Sequence, residues 1–368
     1  MHWIEHLTPQ QIALELAPRL RGLFWPKLKQ VRFEETLTSD VNEKAVWTID
    51  ASDYDSPEQL LSALRQQLDH AGGHQPECIR IAPAGCFHLR QRQSGPARLS
   101  GRIALVTGAA QGFGEGIARE LATAGAVVVI ADLNLERARF VAESINESGG
   151  EALALPVDVA SESSVNTLIE TMTLLYGGLD LIISNAGVLR AGGLDELRPE
   201  DFEFVTRVNY TGFFLVARAG CRPMKRQAEE CPGYSADIIQ INSKSGLEGS
   251  DRNFAYAGSK FGGIGLVQSF AKELVSWRIK VNAICPGNYY EGPLWSDPDK
   301  GLFVQYLKAG KIEGAASIDD VYRAYTAKVP MRRGCRPIDV ARAIFYCVEQ
   351  EYETGQAIPV TGGQVMLN

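Results

Sequence analysis

From Ile103 onward, short unbroken apolar runs alternate with longer segments in which apolar positions recur every three or four residues. The first pattern marks strands buried on both faces, and the second marks amphipathic helices packed over them. The runs fall at 103–106, 126–131, 152–157, 179–184, 238–241, 280–284 and 357–360. Helical patterns occupy 115–124, 161–176, most of 199–227, 254–277 and 338–349. Seven strands separated by helices predict a parallel, doubly wound α/β sheet that binds ligands at the carboxyl ends of its strands.

The first hundred residues read differently. Residues 8–22 have helical periodicity, with Thr8 as N-cap and Pro9 in the tolerant first turn. Segments 29–36 and 44–49 collect β-formers, 57–70 is again an amphipathic helix, and 78–82 is a short strand. The expectation is a small α+β unit over residues 1–98, in the order α-β-β-α-β, ahead of a main domain at 99–368. The polar, Gly-Pro-containing stretch 91–100 serves as linker.

The strand ends carry the chemistry. Directly after the 103–106 run comes Thr107-Gly108-Ala109-Ala110-Gln111-Gly112-Phe113-Gly114. Its glycines allow a tight turn and close backbone approach, and the helix that follows starts with its N–H groups aimed at a pyrophosphate. Asp132 closes the next strand, as the dinucleotide fingerprint requires. A carboxylate there accepts hydrogen bonds from a ribose diol and repels a 2′-phosphate. Ala109, Ala110, Gln111, Leu133 and Asn134 bring no cation to reverse this, so NAD is expected over NADP. Further along, the 238–241 run leads into Ser243-Lys244-Ser245-Gly246 and then into a helix carrying Tyr256 and Lys260. Spacing of four places those two on one helical face, where an ammonium favours the phenolate. With a strand-end hydroxyl such as Ser243, they form a proton-transfer site for an alcohol/carbonyl pair.

Composition narrows the picture. A chain of 368 residues suits a standard domain plus a smaller one. A net charge of −7 gives no electrostatic case for nucleic acid or an anionic membrane, and no apolar run spans a bilayer. The start lacks a signal-peptide pattern, and the seven cysteines show no CxxC spacing, so reduced thiols in a cytoplasmic protein are expected. All five histidines lie before residue 90, which leaves the later chemistry to tyrosine and lysine. His70, His74, Cys78, Cys86 and His88 fit no recognised zinc spacing, and no metal site is expected.

Taken in order, the Thr107–Gly114 loop, Asp158, Asn185-Ala186-Gly187, Asn209, Ser243, Tyr256-x-x-x-Lys260 and Pro286-Gly287 resemble the short-chain dehydrogenase/reductase superfamily over about residues 99–368. The resemblance implies a Rossmann-type fold and a catalytic set of Asn209, Ser243, Tyr256 and Lys260. Tyr256 would be general acid/base, and Ser243 would polarise the substrate oxygen. Lys260 would lower the Tyr pKa and bind the nicotinamide ribose, and Asn209 would hold a relay water. It also implies cofactor contacts from Gly108, Gln111, Gly112, Phe113, Gly114, Asp132, Asp158, Val159, Asn185, Gly187, Tyr256, Lys260, Pro286 and Gly287. Homo-dimers or homo-tetramers, built through the helices of Asn209 and Tyr256, are implied as well. Glu291 stands near the place where the superfamily often has a threonine that anchors the carboxamide.

Stretches 238–246, 260–269, 287–288 and 328–366 look closer still to the sugar-alcohol-phosphate dehydrogenases of that superfamily, whose substrates are sorbitol 6-phosphate-like. The implied reaction is oxidation at C2 to a ketose phosphate. Candidate substrate residues are Lys244, Arg252 and Asn288, with Arg332 and Arg333 as further cations, and 288–330 reads as a substrate loop. Two alternatives stand beside this one. One is a dehydrogenase of an unphosphorylated polyol, sugar or hydroxyacid; the other is a silent nucleotide sensor or scaffold.

Overall fold

The computed structural model describes residues 3–36, 45–72, 74–91, 97–299, 301–308, 310 and 312–366. The N-terminal piece comprises α1 (Pro9–Leu23), β1 (Leu28–Glu34), β2 (Val46–Asp50), α2 (Pro57–His70), β3 (Cys78–Ala82) and β4 (Gly85–Gln91). Its sheet runs β1-β4-β3-β2, antiparallel except for the parallel β2–β3 pair. Strand β4 corrects the α-β-β-α-β expectation. Its cysteine, histidine and glycine are poor local strand signals, and it is a strand because β1 and β3 pair with both of its edges, Phe87 lying opposite Phe33 and Ile79. Of the expected linker, residues 92–96 lie outside the described residues.

The rest of the chain builds the main sheet from β5 (Ile103–Thr107), β6 (Val127–Asp132), β7 (Glu151–Pro156), β8 (Leu181–Ser184), β9 (Ala236–Ile241), β10 (Ile279–Pro286) and β11 (Ala357–Val360). The order is β11-β10-β9-β8-β5-β6-β7, all parallel, which is the doubly wound Rossmann-type sheet expected. Its helices are α3 (Gly112–Thr123), α4 (Leu135–Glu147), α5 (Glu162–Tyr176), α6 (Pro199–Thr206), α7 (Gly212–Glu230), α8 (Phe254–Leu274), α9 (Pro293–Ser296), α10 (Leu302–Lys308), α11 (Ile318–Ala327) and α12 (Pro337–Glu349). A π-helical turn, Arg207–Thr211, joins α6 to α7 and carries Asn209.

Alternation along each strand sorts the core into two layers. Ile103 and Leu105 of β5 face α5, α7 and α8, where Met172, Val216 and Val267 pack. Ala104 and Val106 face α3, α4 and α12, where Ile117, Val141 and Ile344 pack. The N-terminal piece has a core of its own around Leu16, Leu60, Ile79 and Phe87. The 288–330 stretch is more ordered than a loop, because α9, α10 and α11 gather on Tyr290, Trp295, Phe303 and Val321.

A charge pair fastens the N-terminal piece to the main sheet. Arg21 of α1 donates to both oxygens of Asp180, just before β8, at 2.7 and 2.6 Å, and both side chains are 0% exposed. Asp180 also accepts from the Ile103 N–H at 2.8 Å and from Gln227 Nε2 at 3.2 Å. Gly22 lets α1 lie directly on α7, since a Cβ there would meet the Gln227 carbonyl oxygen at 2.5 Å. Trp25 sets its ring edge-on to Tyr234, with centroids 5.4 Å apart. The contact therefore lies at the amino ends of β5 and β8, opposite the strand ends expected to bind ligands.

Burial alone would raise the Asp180 carboxyl, but the Arg21 guanidinium outweighs it and holds the group below its usual range. A depressed carboxylate contributes stability above its unfolded pKa and loses it as pH falls through the folded value. Arg21→Ala leaves a buried, unpaired carboxylate and is expected to cost about 3–5 kcal/mol at neutral pH, read from urea midpoints. The deficit should shrink under mild acid as Asp180 protonates. An unchanged midpoint would mean that this pair does not hold the piece in place.

Candidate active site

The glycine-rich turn begins at the end of β5, and its backbone explains its composition. Gly108 and Gly112 have φ of +64° and +63°, a region that side chains rarely adopt. A Cβ on Gly114 would meet the Gly108 carbonyl oxygen at 2.1 Å and Asn185 Nδ2 at 2.5 Å, so the turn closes only on glycine. Gln111 is the N-cap of α3 and makes no side-chain capping bond, whereas Thr8, Ser56, Asn134 and Ser161 cap α1, α2, α4 and α5. The first N–H groups of α3 are thus left to an outside acceptor, and a Cβ on Gly112 would have only Pro293 Cδ, at 4.0 Å, nearby. This cradle fits a dinucleotide pyrophosphate.

Thr107 and Asn185 lock this turn to the next strand end. Thr107 Oγ1 accepts from the N–H groups of Asn185 and Ala186 at 3.1 and 3.2 Å. Asn185 Nδ2 donates to the Thr107 and Gly108 carbonyls, each at 3.0 Å. Asp132, at the end of β6, accepts from the Ala110 N–H at 3.0 Å and the Asn134 N–H at 2.9 Å. Asp158 is exposed beyond β7 and accepts from the Ala160 N–H, while Val159 packs against Gly212. Phe113 meets Tyr289 at 5.1 Å, which brings the start of the 288–330 segment over the cradle. Pro286 ends β10, and the Gly287 N–H bonds the Val360 carbonyl of β11.

Ser243, Tyr256, Lys260 and Asn209 converge beside this cradle. The Ser243 hydroxyl hydrogen-bonds the half-buried Tyr256 phenol. Lys260 is 4% exposed, has Nζ 5.5 Å from the Tyr256 ring centroid and donates to the Ile241 carbonyl at 2.9 Å. A Cβ on Gly187 would lie 3.4 Å from Asn209 Oδ1 and 3.8 Å from Lys260 Nζ. Asn209 Oδ1 accepts from the Val188 N–H, and its Nδ2 donates to the Val188 carbonyl and to Ser259 Oγ.

Two positioning residues escaped the sequence reading. Asn242 Oδ1 accepts from the Ser243 N–H at 2.8 Å while its Nδ2 donates to the Lys260 carbonyl at 2.9 Å, tying serine and lysine together. Ser259 Oγ receives the Asn209 amide and donates to the Tyr256 carbonyl at 2.7 Å. Asn242 sits immediately before the serine and Ser259 immediately before the lysine, and adjacency was the one available signal.

The electrostatics correct one expectation. Burial raises the Tyr256 phenol above its ordinary value, against the Ser243 hydrogen bond that lowers it. Burial likewise lowers Lys260 to about 8. Dehydration disfavours both charged forms, so in the protein alone it outweighs the lysine's pull on the tyrosine.

The expected substrate cations all have partners. Lys244 pairs with Glu248 at 3.5 Å, Arg252 with Glu196, and Arg333 with Asp339 at 2.9 Å. Arg332 donates to the Ala327 carbonyl. Asn288 Nδ2 lies 3.5 Å from the Tyr290 hydroxyl, and Glu291 turns toward Arg336. A cleft of about 480 Å³ opens beside Gly287 and Asn288 but is lined by Met331, Arg333, Arg342 and the 362–364 turn rather than by Tyr256.

Against known proteins, residues 102–295 match the family model for short chain dehydrogenase. The chain is 36% identical over 270 residues to sorbitol-6-phosphate 2-dehydrogenase of Escherichia coli K12, covering 72% of this chain and 99% of that protein. Among solved structures it is similar to sorbitol-6-phosphate 2-dehydrogenase SrlD from Erwinia amylovora, with TM-score 0.66, 37% identity and coverage of 72% and 100%. It is also similar to an actinorhodin polyketide ketoreductase with NADPH, with TM-score 0.64, 30% identity and coverage of 72% and 97%.

Thr107→Val keeps the side-chain shape but leaves the Asn185 and Ala186 N–H groups without their acceptor. The expected result is an unfolding free energy lower by about 1–3 kcal/mol in denaturant, with weaker dinucleotide binding by titration calorimetry. Unaltered affinity would mean that this bond does not shape the cradle.

Proposed function

The chain belongs to the short-chain dehydrogenase/reductase family of oxidoreductases, and from that premise we propose that it interconverts a sugar-alcohol phosphate and a ketose phosphate with NAD. The observation that carries the reading is the Ser243–Tyr256–Lys260 cluster, hydrogen-bonded and dehydrated beside an uncapped helix terminus. The likeness to sorbitol-6-phosphate 2-dehydrogenases supports the substrate class. Asp132, at the end of β6, supports NAD.

A nicotinamide dinucleotide held by the Gly108–Gly114 turn and Asp132 would supply the hydride acceptor for the carbinol carbon. Ser243 holds the substrate oxygen, and Tyr256 removes its proton as the carbonyl forms. Lys260 stabilises the phenolate, and Asn209 orders the relay behind it. In reduction the proton travels back from Tyr256. Of the substrate cations, Arg252 is the most readily recruited: its pair with Glu196 is solvent-exposed and therefore weak enough to exchange for a phosphate. We place the catalytic unit at 99–368 and assign residues 1–98 to a small unit docked away from the site. Exposed Phe214 on α7 and Phe261 on α8 suit assembly into a homo-dimer or homo-tetramer. An unphosphorylated polyol, sugar or hydroxyacid is the second reading. It is favoured by the carboxylate partners that Lys244, Arg252 and Arg333 already have.

The deciding assay follows NADH absorbance with NAD and either sorbitol 6-phosphate or free sorbitol, alongside Tyr256→Phe. Turnover with the phosphorylated polyol alone, lost in Tyr256→Phe, is expected. Activity with neither polyol, despite NAD binding, would remove the substrate assignment and leave the family standing.

The pH profile tests the proton transfer. Lys260 sits at about 8 and Tyr256 above its ordinary value, so in the protein alone the lysine sheds its proton first. Oxidation needs the Tyr256 phenolate, so its kcat/KM should still be rising with pH above about 8, while reduction falls over the same range. Lys260→Met should push the rise to still higher pH. A flat profile in the wild type would contradict the assignment.

A further inference from the structure

One buried acceptor near Tyr256 is left without a donor. The Asn253 side-chain oxygen is shielded from solvent and has no hydrogen-bond partner among the described residues. Asn253 is the N-cap of α8, three residues before Tyr256 and seven before Lys260. Those intervals put all three on one helical face, with Asn253 about 4.5 Å along the axis from Tyr256. Resting on the polyol reading above, we infer that Asn253 is a specificity-determining residue whose Oδ1 receives a substrate hydroxyl next to the reacting carbinol.

Asparagine at an N-cap ordinarily turns its oxygen onto its own helix, as Asn134 does by accepting the Arg137 N–H of α4 at 3.0 Å. Asn253 makes no such bond. Its φ of −145° and ψ of 28° lie outside the extended geometry in which a capping side chain reaches the first-turn N–H groups. The preceding residue, Arg252, holds φ at +53°, a left-handed conformation that is costly without glycine and collects at functional sites. The Gly192 N–H anchors that turn by donating to the Arg252 carbonyl at 2.8 Å. Asn253 is thus fixed where α8 meets the 188–197 segment, whose Val188 N–H donates to Asn209 Oδ1 at 2.8 Å.

An unpaired buried acceptor destabilises the fold, so its retention calls for a donor that arrives with the ligand. The chemistry of that donor is restricted. A phosphate oxygen, a carboxylate or a carbonyl is itself an acceptor and would be repelled, whereas a hydroxyl donates. The carbons beside the carbinol of a polyol carry hydroxyls; a simple alcohol has none there, and a hydroxyacid presents a carboxylate. Asn253 therefore selects the hydroxylated carbon chain. That task is separate from the proton transfer at Tyr256 and from any cation that meets a phosphate.

The test compares the wild type with Asn253→Leu and Asn253→Asp, using NAD and sorbitol 6-phosphate or its 1-deoxy and 3-deoxy analogues. The wild type should favour the full polyol over at least one deoxy analogue by about tenfold or more in kcat/KM. Asn253→Leu should erase that preference by slowing the full polyol while leaving the deoxy analogue nearly unaffected. Asn253→Asp keeps an acceptor and should retain the ratio. The urea midpoint of Asn253→Leu should equal or exceed the wild-type value, because an unpaired acceptor has been removed. A lowered midpoint with an unchanged ratio would mark the side chain as structural and overturn the role. So would a wild type that treats all three substrates alike. If only free sorbitol turns over, the same ratios are read on it and its deoxy analogues. If the wild type oxidises neither polyol, this inference and the reading beneath it fail together.

Discussion

Parallel strands impose the constraint on which the site depends. Each must be reached by a crossover through a helix, so all seven run the same way and their carboxyl ends share one side of the sheet. The Thr107–Gly114 turn, Asp132, Asn185, Ser243 and Pro286 lie far apart in the chain, and this rule alone makes them neighbours. Side-chain bonds between adjacent strand ends then fix the spacing. Thr107 and Asn185 tie β5 to β8, and Asn242 ties the end of β9 to α8.

The opposite, amino ends of the strands obey a different rule. Asp180 is fully buried at the start of β8, and such a carboxylate is tolerated only when it is paired and hydrogen-bonded. Arg21 meets that demand from a helix more than 150 residues earlier in the chain, with Ile103 and Gln227 completing the shell. The N-terminal piece is therefore bound into the base of the main sheet. The candidate site lies at the other end of the same strands, away from this attachment.

Within the Ser243–Tyr256–Lys260 cluster, dehydration is the dominant force. It raises Tyr256 and lowers Lys260, where reasoning from a charge one turn away expected the tyrosine to fall. Sequence spacing reports the proximity of two groups but not the number of waters around them, and here the missing water is the larger effect. The same limitation explains the substrate cations. Lys244 and Arg252 are legible as charges, but Glu248 and Glu196 come to them only through turns whose paths the sequence does not reveal.

The sequence by itself determined the seven-strand alternation, the glycine positions, Asp132 and the four-residue step from Tyr256 to Lys260. These are local, because periodicity and backbone freedom are properties of a few consecutive residues. Strand β4, the Arg21–Asp180 pair and the grip of Arg137 on Ala110 were decided by tertiary structure. Each joins groups that no local preference brings together: β4 is a strand through its two partners, Arg21 is buried through Asp180, and Arg137 lies 27 residues from the carbonyl it holds. Propensity and spacing act along the chain, whereas pairing, burial and charge compensation act across space and take effect only once the sheet has closed.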